Sequence, residues 1–253
     1  MQSSELYLDE QWLTFANREM QLFLLGYIII SICEIFTIGW FPLNGRVRIG
    51  FTAVHIASIV ATLWILLMNA VVGYQILDDG TIASIGLIFG SAAALFVGTG
   101  YIALDTGFAF TDYWQDTVTS PTNRAYALYT LYQLVPLIFI VVFFILEAVL
   151  VLRVLGEVRP MCRSPDSVFQ YHLWIFTDNH LVYLGAAGLL FAISQIFQYV
   201  ISVHICNGSN GAINGGFFST LFTLLSVIMI WVFWSSITED DWPMPTSAGS
   251  TYT

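Results

Sequence analysis

Six long apolar segments separated by short polar stretches make up most of this chain, at residues 20–39, 50–76, 82–104, 125–153, 181–205 and 216–236. A bilayer core takes about 20 apolar residues per helix, and only helices or closed barrels satisfy their own backbone in lipid. The pattern therefore predicts an all-α, polytopic membrane helix bundle with about six transmembrane helices. The sharpest boundary falls in Leu67–Gly90, where one segment ends at Gln75 and the next follows a turn of Leu77, Asp78, Asp79, Gly80 and Thr81. Asp78 and Asp79 are suited to bonding local backbone, Gly80 is free to take positive φ, and Thr81 can cap the next helix. That helix carries Gly86 and Gly90, then Ser91, Ala92, Ala93 and Ala94, small residues that let helix backbones approach closely in lipid. The fourth segment exceeds one bilayer thickness, so it tilts or bends, with Pro136 the expected kink. Residues 1–19 form a polar and amphipathic lead, 20–236 a single transmembrane domain and 237–253 an acidic tail.

Composition sharpens this picture. The chain is 57% hydrophobic and only 9% charged, against roughly a quarter charged in soluble domains. Seven Lys+Arg, all arginine, stand against 17 Asp+Glu. Without a basic face, a nucleic-acid partner is excluded. Cys33, Cys162 and Cys206 are scattered, so neither a disulfide framework nor a zinc site is expected. The acidic start lacks the basic region of a cleavable signal, so the first apolar helix is expected to direct its own insertion.

An even number of spans puts both termini on one side, with Arg18, Arg153, Arg159 and Arg163 there and Arg46, Arg48 and Arg124 opposite. That split barely chooses an orientation. Asn207-Gly208-Ser209 is a glycosylation sequon between the last two helices, usable only in the lumen, and it favours cytosolic termini. In the long stretch 155–180, residues 169–176 are too short to span and read as a membrane-surface segment.

Ionisable residues within spans are the natural chemical candidates. Glu34 in the first helix and His55 in the second are positioned for contact, either as a proton or ion relay or as a polar contact holding the bundle. Glu147 and Arg153 lie near one end of the fourth helix, within reach of headgroups. Asn69, Gln75, Gln133, Gln195 and Gln198 are amides suited to interhelical hydrogen bonds. No metal-ligand spacing, nucleophile elbow or phosphate loop is present, so no enzyme, metal or cofactor is signalled. After the last helix, Glu239, Asp240 and Asp241 form an acidic tail, and Glu239-x-Asp241 has the spacing of a di-acidic export signal read by vesicle coat machinery. A small transporter, channel or receptor-like bundle using Glu34 and His55 is one functional reading.

A second reading comes from resemblance. Leu67–Thr81 (LMNAVVGYQILDDGT), Ser120-Pro121-Thr122-Asn123, Ser194–Cys206 and Gly215–Asp241 resemble, in order and spacing, the fungal chitin synthase export chaperones. The resemblance covers about residues 17–241 and implies a non-enzymatic protein of the endoplasmic reticulum membrane, extending to the plasma membrane. It also implies that the protein binds a polytopic chitin synthase, promotes its folding and exit, and so serves cell wall biogenesis. On that reading, the helix-packing and client-contact residues are Gly86, Gly90, Ala94, Asn69, Gln75, Asp78, Asp79, Phe217, Phe218 and Trp234, with Glu239, Asp240 and Asp241 the export signal. Departures from the family pattern include a start at what looks like its second helix, Asn214 in place of a usual aspartate, Val232 and Ser235 in place of polar residues, and an apparent insertion at 164–176.

Overall fold

The computed structural model describes residues 20–37, 42–74, 82–111, 114, 126–161, 167–202, 204–205 and 215–240, with side chains described except at 82, 154–179 and 237–240. Among these residues there is no strand. The helices are α1 (Met20–Thr37), α2 (Gly45–Gly73), α3 (Ile82–Phe108), α4 (Tyr126–Tyr129), α5 (Val135–Met161), α6 (Ser167–Ile196) and α7 (Gly215–Asp240). Six stretches are long and apolar enough to cross a membrane: Met20–Thr37, Gly45–Gly73, Ala83–Phe108, Tyr126–Arg153, His180–Ile201 and Gly215–Ser236. The expected six-span helical architecture is what the chain adopts.

The chain forms two compact units, Met1–Glu147 and Ala148–Thr253. In the first, α2 is the central helix. Of its most apolar stretch 67% is buried, against 17–28% for the other five spans. Its buried residues include Ala53, Ala57, Ser58, Ala61 and Thr62 beside larger ones such as Ile56, Val60 and Ile65, and the small side chains admit neighbouring backbones closely. Asn44 caps its start, accepting from the Arg46 N–H. α1 packs antiparallel on it, with Phe36 stacked on Phe51 at 4.6 Å and Gly26 against Thr62. α3 packs antiparallel on another side: the Trp64 indole donates to Ser91 at 2.8 Å, Gly100 faces Ala57 and Gly107 faces Ile49. Along α5, Phe139 meets Trp64 at 5.3 Å, and the Leu146 carbonyl accepts from the Tyr74 hydroxyl at 2.7 Å, so α2 and α5 run parallel.

In the second unit α6 and α7 pair antiparallel along a hydroxyl seam. The Ser194 hydroxyl donates to the Ser219 carbonyl at 2.9 Å and lies 2.6 Å from the Thr223 hydroxyl. Further along, the Ser226 hydroxyl donates to the Ala187 carbonyl at 2.8 Å, and His180 Nδ1 meets the Ser236 hydroxyl at 2.8 Å. Phe197 stacks on both Phe218 and Phe222. Small hydroxyl residues hold the backbones close while satisfying polar groups that lipid cannot.

Several boundaries differ from the sequence expectation. The irregularity expected at Pro136 lies in the turn before it, a π-helical turn at Thr130–Leu134 in which the Val135 N–H reaches back to the Thr130 carbonyl. Proline has no N–H and its ring clashes with the carbonyl four residues earlier, and the wider turn accommodates that. A second π-helical turn, Phe197–Ile201, has no proline behind it. Residues 169–176, expected as a separate surface segment, belong to one continuous helix, Ser167–Ile196. No Gly or Pro interrupts residues 167–184, so nothing local ends that helix.

The end of α3 also lies beyond the expected boundary at 104. Asp105 is buried within the helix, its carboxylate accepting both the Thr111 N–H, at 2.8 Å, and the Thr111 hydroxyl. Ala109 takes φ 54°, the left-handed conformation that ends helices, and its N–H closes the last turn on the Asp105 carbonyl at 2.8 Å. Asp105→Ala removes the acceptor for two donors of the exposed Thr111, and a hydrogen bond to a charged group contributes about 1.5–3 kcal/mol at most. A lowered melting temperature in detergent is expected for Asp105→Ala, with a smaller drop for Asp105→Asn, which keeps one acceptor. Equal melting of Asp105→Ala and wild type would show that the cap contributes nothing.

Candidate functional site

The small-residue pattern read from α3 resolves into two faces. One is the seam with α2, where Ser84, Ile88, Ala92, Thr99, Ala103 and Asp105 are buried and where the close approaches are made at Gly100 and Gly107. Gly86, Gly90 and Ala94 lie on the other face and are exposed. A side chain at Gly86, Gly90 or Gly98 would meet nothing within 4 Å. The ridge Gly86, Gly90, Ala94 and Gly98 thus repeats every four residues, one stripe along a helix, and at its three glycines a side chain would meet nothing among the described residues. Leu87, Phe89 and Val97 stand beside it, Phe89 at 60% and Val97 at 66% exposure. The arrangement is a shallow groove floored by backbone and walled by apolar side chains. It is the form that lets a second transmembrane helix approach closely, through van der Waals contact rather than through water release.

The remaining expected positions distribute differently. Asn69 is buried on α2, and both its amide atoms lack hydrogen-bond partners among the described residues. Phe217 is 66% exposed at the start of α7, while Phe218 packs on Phe197. Trp234 is half-buried near the other end of that helix. Gln75, Asp78, Asp79, Asn207 and Asp241 lie outside the described residues. Glu239 and Asp240 end α7, with their side chains outside the description.

Glu34 and His55 fall at the same level of the antiparallel α1–α2 pair, between the Phe36–Phe51 and Gly26–Thr62 contacts. His55 Nδ1 is enclosed and makes no hydrogen bond among the described residues. Glu147 corrects an expectation. Instead of reaching headgroups it is buried, with Oε1 unpartnered among the described residues, whereas Arg153 is exposed. The helix runs on to Met161, which places Glu147 about four turns from its end. Among the described residues no group of three or more His, Cys, Asp or Glu could hold a metal ion. Gly98, which completes the α3 ridge, was missed in the sequence; its four-residue spacing from Ala94 was the available signal.

A family model described as chitin synthase export chaperone matches residues 14–175 and 172–248. The chain belongs to the chitin synthase export chaperone family. Relatives carrying that name include one from Cryptococcus neoformans var. neoformans serotype D, 28% identical over 248 residues that cover 93% of this chain and 58% of the relative. One from Coccidioides immitis is 26% identical over 237 residues, covering 93% of this chain and 63% of the relative. A third, from Phaeosphaeria nodorum, is 29% identical over 191 residues, covering 76% of this chain and 49% of the relative. The chain thus spans 58–63% of the length of the first two. No solved structure matches it.

Proposed function

We propose that this chain is a non-enzymatic membrane chaperone and export factor that binds a polytopic chitin synthase and promotes its folding and exit from the endoplasmic reticulum. The observation that carries the reading is the open Gly86–Gly90–Ala94–Gly98 ridge on a membrane-spanning helix of a chain in this family. A synthase helix seated on that ridge would be shielded before its own partners arrive, when polar backbone and side chains exposed to lipid are costly. On this reading both termini are cytosolic, and Glu239 and Asp241 engage vesicle coat machinery. The complex travels towards the plasma membrane.

The test follows a tagged chitin synthase by microscopy and co-purification in cells with and without this gene. Retention of the synthase in the endoplasmic reticulum without the gene, and co-purification with it, is the expected result. Complementation with Glu239→Ala/Asp241→Ala is expected to restore binding but not exit. A synthase that reaches the surface normally and never co-purifies would overturn the reading. Proton or ion flux through reconstituted vesicles, lost in Glu34→Gln, would support a transporter instead.

A further inference from the structure

The ends of α1 and α2, with α4 and the π-helical turn that follows it, border an open cavity of about 510 Å³, lined by Thr37, Thr52, His55, Ile56, Tyr129 and Tyr132 among others. Its size falls within the range of about 300–1,000 Å³ usual for small-molecule sites. One wall includes Tyr132 of the π-helical turn Thr130–Leu134, and such turns recur at functional sites.

The polar groups define what could bind. The Thr37 hydroxyl donates to the Glu34 carbonyl at 3.1 Å and the Thr52 hydroxyl to the Arg48 carbonyl at 2.9 Å. Each hydroxyl has one hydrogen, so both present only lone pairs to the cavity. The His55 ring also borders the space, with its Nδ1 enclosed. Among the described residues, no carboxylate, lysine or arginine lines the space. The Tyr129 and Tyr132 hydroxyls can donate but carry no charge, so a phosphate or carboxylate, which is bound best by charged donors, is poorly served here. A hydroxyl, which can donate into a threonine oxygen, is well served, and the rest of the lining is apolar or aromatic.

Depth points the same way. α2 has 29 residues, about 44 Å at 1.5 Å per residue, so it overshoots a hydrocarbon core of about 30 Å. Thr52, about two turns into α2, therefore lies near the boundary between hydrocarbon and headgroups, where a neutral membrane alcohol carries its hydroxyl. Ordering two flexible acyl chains in such a space would cost more entropy than seating a rigid ring system.

We propose that this cavity binds a sterol, its hydroxyl donating to Thr52 or Thr37 and its ring system lying against Ile56 and the tyrosines. The test uses the full chain in phosphatidylcholine nanodiscs with a photoreactive, alkyne-tagged sterol, the labelled peptides being located by mass spectrometry. Labelling is expected around Thr52–Ile56 and Leu128–Tyr132, competed by unlabelled sterol and not by diacylglycerol. Thr52→Val, which removes the hydroxyl at constant size, and Thr52→Trp, which fills the cavity from an exposed position, are each expected to lower labelling about ten-fold. Labelling unchanged in both variants, competed equally by diacylglycerol, or spread over all the outward faces would overturn the proposal.

Discussion

A chain carrying Gly86→Leu and Gly90→Leu is expected to insert and melt like the wild type while co-purification of chitin synthase falls about ten-fold or more, the effect of losing roughly 1.4 kcal/mol of affinity. The two halves of this expectation have separate causes. Within the chain, a side chain at either position meets nothing within 4 Å, so no internal contact is lost. Leucine is moreover the better helix former, by up to about 1 kcal/mol per residue on aqueous scales. For a helix seated on the ridge, two leucines one turn apart fill the groove and hold the backbones away from each other. Close packing supplies much of helix association in lipid, so the loss falls on binding alone. Unchanged co-purification with unchanged melting would show that this ridge is not the contact surface. The synthase would then be sought on the outward faces of α7, beginning with Phe217.

The second large effect is the opposite case. Gly215→Leu is expected to disrupt the α6–α7 pair, lowering the melting temperature sharply and exposing the chain to limited proteolysis. A Cβ at position 215 would lie 2.5 Å from the Ser202 Cα and 2.7 Å from its Cβ. The obstacle is backbone, so no rotamer change relieves it, and relief requires the two helices to separate. Overpacking of this kind costs about 3 kcal/mol. Separation would also pull apart the hydroxyl seam of Ser194 with Ser219 and Thr223. A Gly215→Leu chain that melts with the wild type would mean that the close approach of Gly215 to Ser202 is not required. Read together, the two variants distinguish glycines that serve a partner from glycines that serve the fold.

The six spans were legible in the sequence because apolar length against bilayer thickness is a one-dimensional criterion, and the described residues satisfy it six times. Family membership was legible through short ordered blocks such as Leu67–Thr81 and Gly215–Asp241. The candidate contact ridge was partly legible. The spacing of Gly86 and Gly90 marked a small-residue stripe, but a stripe can face inward or outward, and spacing alone does not say which. Nothing in the sequence distinguished Gly86 and Gly90, which face open space, from Gly100 and Gly107, which lie against Ala57 and Ile49.

By itself, then, the sequence determined an all-helical membrane protein of six spans, its lack of a basic face and its family. Each of these depends on composition, segment length or linear order. Only the tertiary structure decided that α2 is the central helix, that Glu147 is enclosed instead of reaching headgroups, and that Asp105 closes the end of α3 on Thr111. It also decided that, among the described residues, Gly86, Gly90 and Gly98 meet no neighbour. These outcomes depend on which side of each helix meets a neighbour. Inside a bilayer, outward and inward faces are both apolar, so the hydrophobic periodicity that marks a buried face in water is largely erased. Packing of small residues and hydroxyls sets the arrangement instead, and that packing exists only once the helices are brought together.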